Sequence, residues 1–227
     1  TTGASNTAVG QNALTQNTTA SNNTAVGKDS LSANTTGALN TAMGSGALQA
    51  NTTGAENVAI GYLALTNNTT GTHNVAVGGS DGSSGACLGT NSTGSANTGL
   101  GMQALGSNST ASNNTGVGFQ ALKANTTGTQ NSSFGAFSLD ANTTASNNTA
   151  FGYASLSSNT TGDQNVAVGS LSLDACTTGD FNVALGTSAL GALTTANENT
   201  AIGTIALGAN TTGANNTAVG STALDAN

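Results

Sequence analysis

Apolar residues return along this chain at fixed offsets rather than in stripes of helical spacing. Each cycle opens on Asn, passes through Thr, Val or Ser, then a small residue, then a larger apolar one, and closes on Gly, as in Asn6-Thr7-Ala8-Val9-Gly10. The opening asparagine recurs at Asn6, Asn23, Asn40, Asn57, Asn74, Asn97, Asn114, Asn131, Asn148, Asn165, Asn182, Asn199 and Asn216. Every step is 17 residues except the 23 between Asn74 and Asn97. With the repeat numbered from that Asn, position 5 is Gly and position 9 is Leu in all thirteen copies, and position 4 is always Val, Ile, Leu, Met or Phe. Positions 12 to 15 read Asn-Thr-Thr-Gly with few departures, and position 14 is Thr in twelve copies. A fixed period of this size is the mark of a solenoid built from stacked, near-identical units.

Positions 1–4 and 7–9 are short β-favouring pieces, separated by bends at Gly of position 5 and at Gly or Ala of position 15. Period-two alternation puts positions 2 and 4 on one face and position 3 on the other. The unit is too short for a βαβ element and has no 3.6-residue stripe, so the pattern predicts an all-β parallel solenoid of thirteen 17-residue rungs. Asn6, Asn23, Asn40 and Asn57 are expected to stack as an amide ladder. Leu14, Leu31, Leu48 and Leu65 are expected to stack in the core, joined there by the position 4 residues from Val9 onward. Two large apolar side chains per rung contribute about 1.5–3 kcal/mol each, against about 1–2 kcal/mol of backbone entropy for each ordered residue. That shortfall, with Leu63, Phe137, Leu171, Ile205, Tyr62, Phe119 and Tyr153 at positions 6 and 7, predicts a second semi-apolar face and an oligomer.

The chain starts and stops inside a repeat, and reads as one array over 1–227, a segment of a longer fibre, with a six-residue insertion within 79–85. Charged residues are 5% of the chain, which with so much Asn, Thr, Ser and Gly suggests disorder, but leucine kept in register argues for a fold. Lys28 and Lys123 are its two basic residues, too few to neutralise a phosphate backbone, so nucleic acid is excluded as a partner. No apolar run approaches the roughly 20 residues of a membrane helix, so no membrane insertion is expected in this segment. Cys87 and Cys176 fall five rungs apart, about 24 Å at strand spacing, beyond disulfide reach.

The motif Asn-Thr-Ala-Val-Gly-x-x-Ala-Leu, as at 216–224, resembles the Asn-Ser-Val-Ala-Ile-Gly-x-x-Ala head repeat of trimeric autotransporter adhesins, with Asn57-Val58-Ala59-Ile60-Gly61 nearest to it. The longer unit with Asn-Thr-Thr-Gly resembles repeat tracts of bacteriophage-type tail fibres. The resemblance extends over essentially the whole chain, although adhesin heads use shorter repeats. It implies a left-handed β-roll, three chains wound into one fibre, at an extracellular, cell-surface or virion-surface location, holding a cell-surface receptor or glycan.

Charged residues all occupy variable positions. Asp163 and Asp180, neighbours at position 16, are either surface charges or a shared cation site, though no further carboxylate completes a calcium shell of six to eight oxygens. His73 and Glu56 share position 17 one rung apart and read as a surface stack rather than a catalytic dyad. No catalytic residue, cofactor or metal ligand is assigned, and no enzyme activity is expected. The insertion residues Ser80, Asp81, Ser83 and Ser84 are either a tolerated loop or a receptor contact, because loops on rigid scaffolds often carry recognition. Sixteen Asn-x-Ser/Thr sequons are either glycan acceptors or ladder residues.

Three functions fit these features. The first is a non-enzymatic fibre segment, a stiff rod about 60 Å long at strand spacing with a repeated surface for attachment. The second is a self-assembling filament or sheath subunit, bound to filament neighbours. The third is an ice-binding solenoid built on the Thr-rich positions, although adjacent Thr at positions 13 and 14 point to opposite sides of an extended chain.

Overall fold

A computed structural model describes residues 2–82 and 85–225. Strands of three residues each fall at positions 2–4 of every repeat, and no helix occurs among the described residues. The chain divides into two compact units, 1–114 and 115–227. Unit 1 holds β1 (Thr7–Val9), β2 (Thr24–Val26), β3 (Thr41–Met43), β4 (Val58–Ile60), β5 (Val75–Val77) and β6 (Thr98–Leu100). Unit 2 holds β7 (Thr115–Val117), β8 (Ser132–Phe134), β9 (Thr149–Phe151), β10 (Val166–Val168), β11 (Val183–Leu185), β12 (Thr200–Ile202) and β13 (Thr217–Val219).

Each unit is a parallel β-solenoid. Within a unit the strands pair in chain order, like position against like position: Thr7 faces Thr24 and Val9 faces Val26, and Val166 faces Val183. The insertion leaves this register intact, since Val75 of β5 pairs with Thr98 of β6.

Strands stop after three residues because the Gly of position 5 takes a φ near +130°, as at Gly27 (134°) and Gly186 (135°), where L-residues are rare. Chain then returns through three left-handed residues per rung, at positions 7, 9 and 17. Every position 9 leucine is among them, with φ between 48° for Leu31 and 55° for Leu14. A left-handed non-glycine residue costs roughly 1–2 kcal/mol. This backbone therefore depends on the hydrogen bonds it makes to neighbouring rungs, such as Leu31 N–H to the Ala47 carbonyl (3.1 Å) and Asp29 N–H to the Gln11 carbonyl (2.8 Å).

The interior differs from expectation in one respect. Leu14, Leu31, Leu48 and Leu65 are buried, but the position 4 residues are not core: Met43 is 44% exposed, Ile60 38%, Phe151 56% and Leu185 41%. Alternation does set position 3 opposite to positions 2 and 4, and it is the small position 3 residue that points inward, with Ala25, Ala42 and Ala167 fully buried. The reason is space. A Cβ built on Gly99 would lie 2.5 Å from Cys87 Sγ, so a larger position 8 residue is matched by a glycine at position 3. Leucine and two files of asparagine fill the remaining width, and a valine at position 3 would not fit.

Candidate functional site

Within each unit the asparagines of position 1 form a largely buried spine. Asn23 N–H donates to Asn6 Oδ1 (2.9 Å), Asn40 N–H to Asn23 Oδ1 (2.9 Å) and Asn57 N–H to Asn40 Oδ1 (3.0 Å). Position 12 supplies a second spine, in which Asn51 Nδ2 donates to Asn34 Oδ1 (2.9 Å) and Asn68 Nδ2 to Asn51 Oδ1 (2.8 Å). Both spines grip the same atom: the Gly54 carbonyl accepts from Asn40 Nδ2 and Asn51 Nδ2, each at 2.9 Å. Where position 12 is Asn, two amides thus close the rung on the carbonyl of position 15, as at Gly37, Gly54 and Gly71. Among the described residues no buried side-chain polar atom lacks a partner. These residues are structural, since their buried amide groups are hydrogen-bonded within the chain.

Position 12 breaks at Cys176 and Leu193. Below the break Asn159 Oδ1 turns to accept from Gly162 N–H (3.1 Å), and above it Asn210 Oδ1 accepts from Gly213 N–H (2.9 Å). Burial raises the Cys87 thiol to about 12 and the Cys176 thiol to about 11, leaving both as protonated, inert side chains.

Insertion residues Ser80 and Asp81 lie beside Tyr62. Ser80 N–H donates to the Tyr62 carbonyl (2.9 Å), its Oγ accepts from Gly82 N–H (3.0 Å), and Asp81 is exposed. Ser83 and Ser84 lie outside the described residues. His73 Nε2 and Glu56 Oε2 are 3.0 Å apart with both side chains at least half exposed. Asp163 and Asp180 have a role that their sequence position did not reveal. Asp163 Oδ1 accepts from Ser146 N–H (2.5 Å) and Asp180 Oδ1 from Asp163 N–H (2.7 Å), and Ser95 and Ser112 do the same for Thr72 and Ser95 in unit 1. Position 16 is thus a third ladder, from side-chain oxygen to the preceding rung's amide. Among the described residues no His, Cys, Asp and Glu cluster could hold a metal ion.

The sequons separate by burial. Asn34, Asn51, Asn68 and their position 12 relatives are buried in the spine, whereas Asn22, Asn113, Asn147 and Asn215, at position 17, and Asn67 are exposed.

What the rungs present outward is position 4, flanked by position 2, and this double row carries no charged residue in either unit. Unit 2 adds a cluster at one corner. Five of the seven aromatic residues fall between 119 and 153. Phe119 and Tyr153 both meet Phe137 edge-on, with centroids 5.3 and 5.9 Å apart, while Phe134 and Phe151 stack at 5.5 Å. Phe137 and Tyr153 line an open groove of about 560 Å³ together with Asp140, Ser157 and Ser158. Burial pushes the Asp140 carboxyl above the usual carboxylate range, opposed by hydrogen bonds from its own and the Ala141 backbone amides and by the Lys123 charge. The individual aromatics were visible in the sequence, but their convergence depends on adjacent rungs placing positions 6 and 7 side by side. Comparison with protein-family models, with curated proteins and with solved structures finds no match to this chain.

Proposed function

We propose that this chain is a segment of a non-enzymatic extracellular fibre of adhesin or tail-fibre type. In this reading 17-residue rungs wind as a left-handed β-roll, three chains associate, and the product is a stiff rod offering a repeated surface for attachment. One observation carries it: the apolar residue of position 4 is kept in every rung although it faces outward, with Leu100 47%, Phe151 56% and Leu185 41% exposed in inner rungs. Contiguous exposed apolar surface on a soluble chain marks an interaction site, and a row repeated every rung suits a partner that runs parallel to the stack. Light scattering with size exclusion tests it. A discrete trimer is expected, whereas a monomer refutes the association and open-ended polymers favour the filament instead.

One observation also favours ice binding. Thr at position 14 is exposed in all twelve described copies, and Thr at position 2 shares the outward strand face with position 4. A thermal-hysteresis measurement with no activity removes this reading.

A further inference from the structure

We propose that the groove bordered by Phe137, Tyr153 and Asp140 in unit 2 binds a neutral glycan, the apolar face of a sugar ring lying on the Tyr153 ring and paired hydroxyls donating to the Asp140 carboxylate. The proposal rests on the attachment reading, and names what is held and where.

Four observations lead to it. Phe137, Tyr153, Asp140, Ser157 and Ser158 line one open, shallow groove of about 560 Å³, a shape that suits a ligand lying along the surface. Its lining combines two chemistries: the aromatic rings of Phe137 and Tyr153, and the polar side chains of Asp140, Ser157 and Ser158. That combination suits a ligand with apolar C–H faces and a rim of hydroxyls. Tyr153 is held by its edge-on contact with Phe137 yet stays 56% exposed, so its ring is fixed and available. Finally, the aromatic cluster is confined to 119–153, whereas contacts between copies that follow the repeat would use residues present in every rung. A local cluster fits a discrete ligand better than a propagating interface.

The ligand's charge follows from the surroundings. With a net charge of −7 and a carboxylate in the groove, acidic sugars are disfavoured. A cationic ligand is disfavoured in turn, because Lys123 already offsets part of the Asp140 charge.

The test uses the 227-residue chain with maltohexaose, cellohexaose and chitohexaose as probes. Saturation-transfer NMR detects contact, and tyrosine fluorescence follows titration, because the protein has two tyrosines and no tryptophan. At least one probe is expected to bind, with affinity falling about tenfold or more in Tyr153→Ala and several-fold in Asp140→Asn. Tyr62→Ala, at the same repeat position in unit 1 and 47% exposed, is expected to leave it unchanged, as is Tyr153→Phe to a first approximation. The melting temperature of each variant establishes that the fold is retained. No contact from any probe overturns the proposal, as does binding of choline in their place. Tyr153→Ala lowering the oligomer mass without any sugar effect also overturns it, and assigns the cluster to contact with a second copy. A trimer without sugar binding sinks the glycan site alone, whereas sugar binding by open-ended polymers sinks the trimeric rod alone.

Discussion

Replacing Gly186 with alanine tests the stacking geometry most directly. Gly186 has φ 135°, and a Cβ placed on it would lie 2.5 Å from the Gly203 carbonyl oxygen and 2.6 Å from its carbon. Two separate penalties arise. Holding an L-residue at such a φ costs on the order of 1–3 kcal/mol, and the clash with fixed backbone costs about 1–3 kcal/mol more. Gly220 separates the two, having φ 129° but only Ala223 Cβ near its added methyl, at 3.8 Å. Gly220→Ala should therefore suffer the strain alone, and Gly186→Ala about 2–6 kcal/mol in total from the two terms. Each rung contacts only its neighbours, so the damage stays local. The assay is amide hydrogen exchange at Val183, Ala184, Thr200 and Ala201, with urea unfolding followed by far-UV circular dichroism. A loss of 2–3 kcal/mol in local opening speeds exchange about 30- to 150-fold. Exchange at these amides within threefold of wild type in Gly186→Ala, or equal losses of urea stability in the two variants, would refute the reasoning.

Other consequences are simpler to check. Cys176→Asn restores an Nδ2 donor for the Gly179 carbonyl, which now receives only a 3.8 Å contact from Cys176 Sγ at that position, and should raise stability by about 1 kcal/mol; a lower unfolding midpoint refutes it. Both thiols should resist Ellman's reagent at pH 8 while the chain is folded and react at once in urea, since burial holds Cys87 at about 12 and Cys176 at about 11. Asp140 and Asp174 are both raised from an ordinary 3.8 by burial, so the native state binds more protons than the unfolded one just above that value. Their contribution is greatest in acid and is lost as pH rises through their folded values, so Asp140→Asn with Asp174→Asn should flatten the pH profile there. Asp29 acts oppositely: the hydrogen bond from Asn12, then that from Lys28, lowers it, and its contribution is lost as pH falls.

The period, the strand at positions 2–4 and the parallel register were legible because they depend on spacing alone, whereas the second β piece expected at positions 7–9 is a turn with left-handed residues at positions 7 and 9. Thr7 pairs with Thr24 for the same reason that Asn6 is followed by Asn23. The direction of position 4 was not legible, because alternation says which residues share a face and not which face is inside. Interior width decides that, and the width is set by how closely Leu31, Ala25 and the paired amides of Asn23 and Asn34 pack. Left-handed leucines were equally hidden. Propensity places Leu in right-handed or extended backbone, and only hydrogen bonds between rungs, such as Leu31 to Ala47, hold it elsewhere. Nor could Asp163 be told from a surface charge until the Ser146 amide was seen pointing at it.

Invariance in the repeat therefore has two sources. Gly at position 5 is required by φ and by contact with the next rung, and Asn at position 1 by the spine, so a single chain explains both. Position 4 is different. Thr or Ser would be as compatible with an exposed strand residue, would be well solvated, and is already used freely at position 2, at Thr24, Thr41 and Ser132. Yet thirteen rungs keep Val, Ile, Leu, Met or Phe there, on a surface where each side chain forgoes much of the roughly 1.5–3 kcal/mol available from full burial. Contacts along the row, such as the Phe134–Phe151 stack, recover only part of that energy. A surface that covers this row would recover more, so a partner that follows the repeat is to be sought along position 4, and any partner of a single site at the corner where the aromatic residues depart from the repeat.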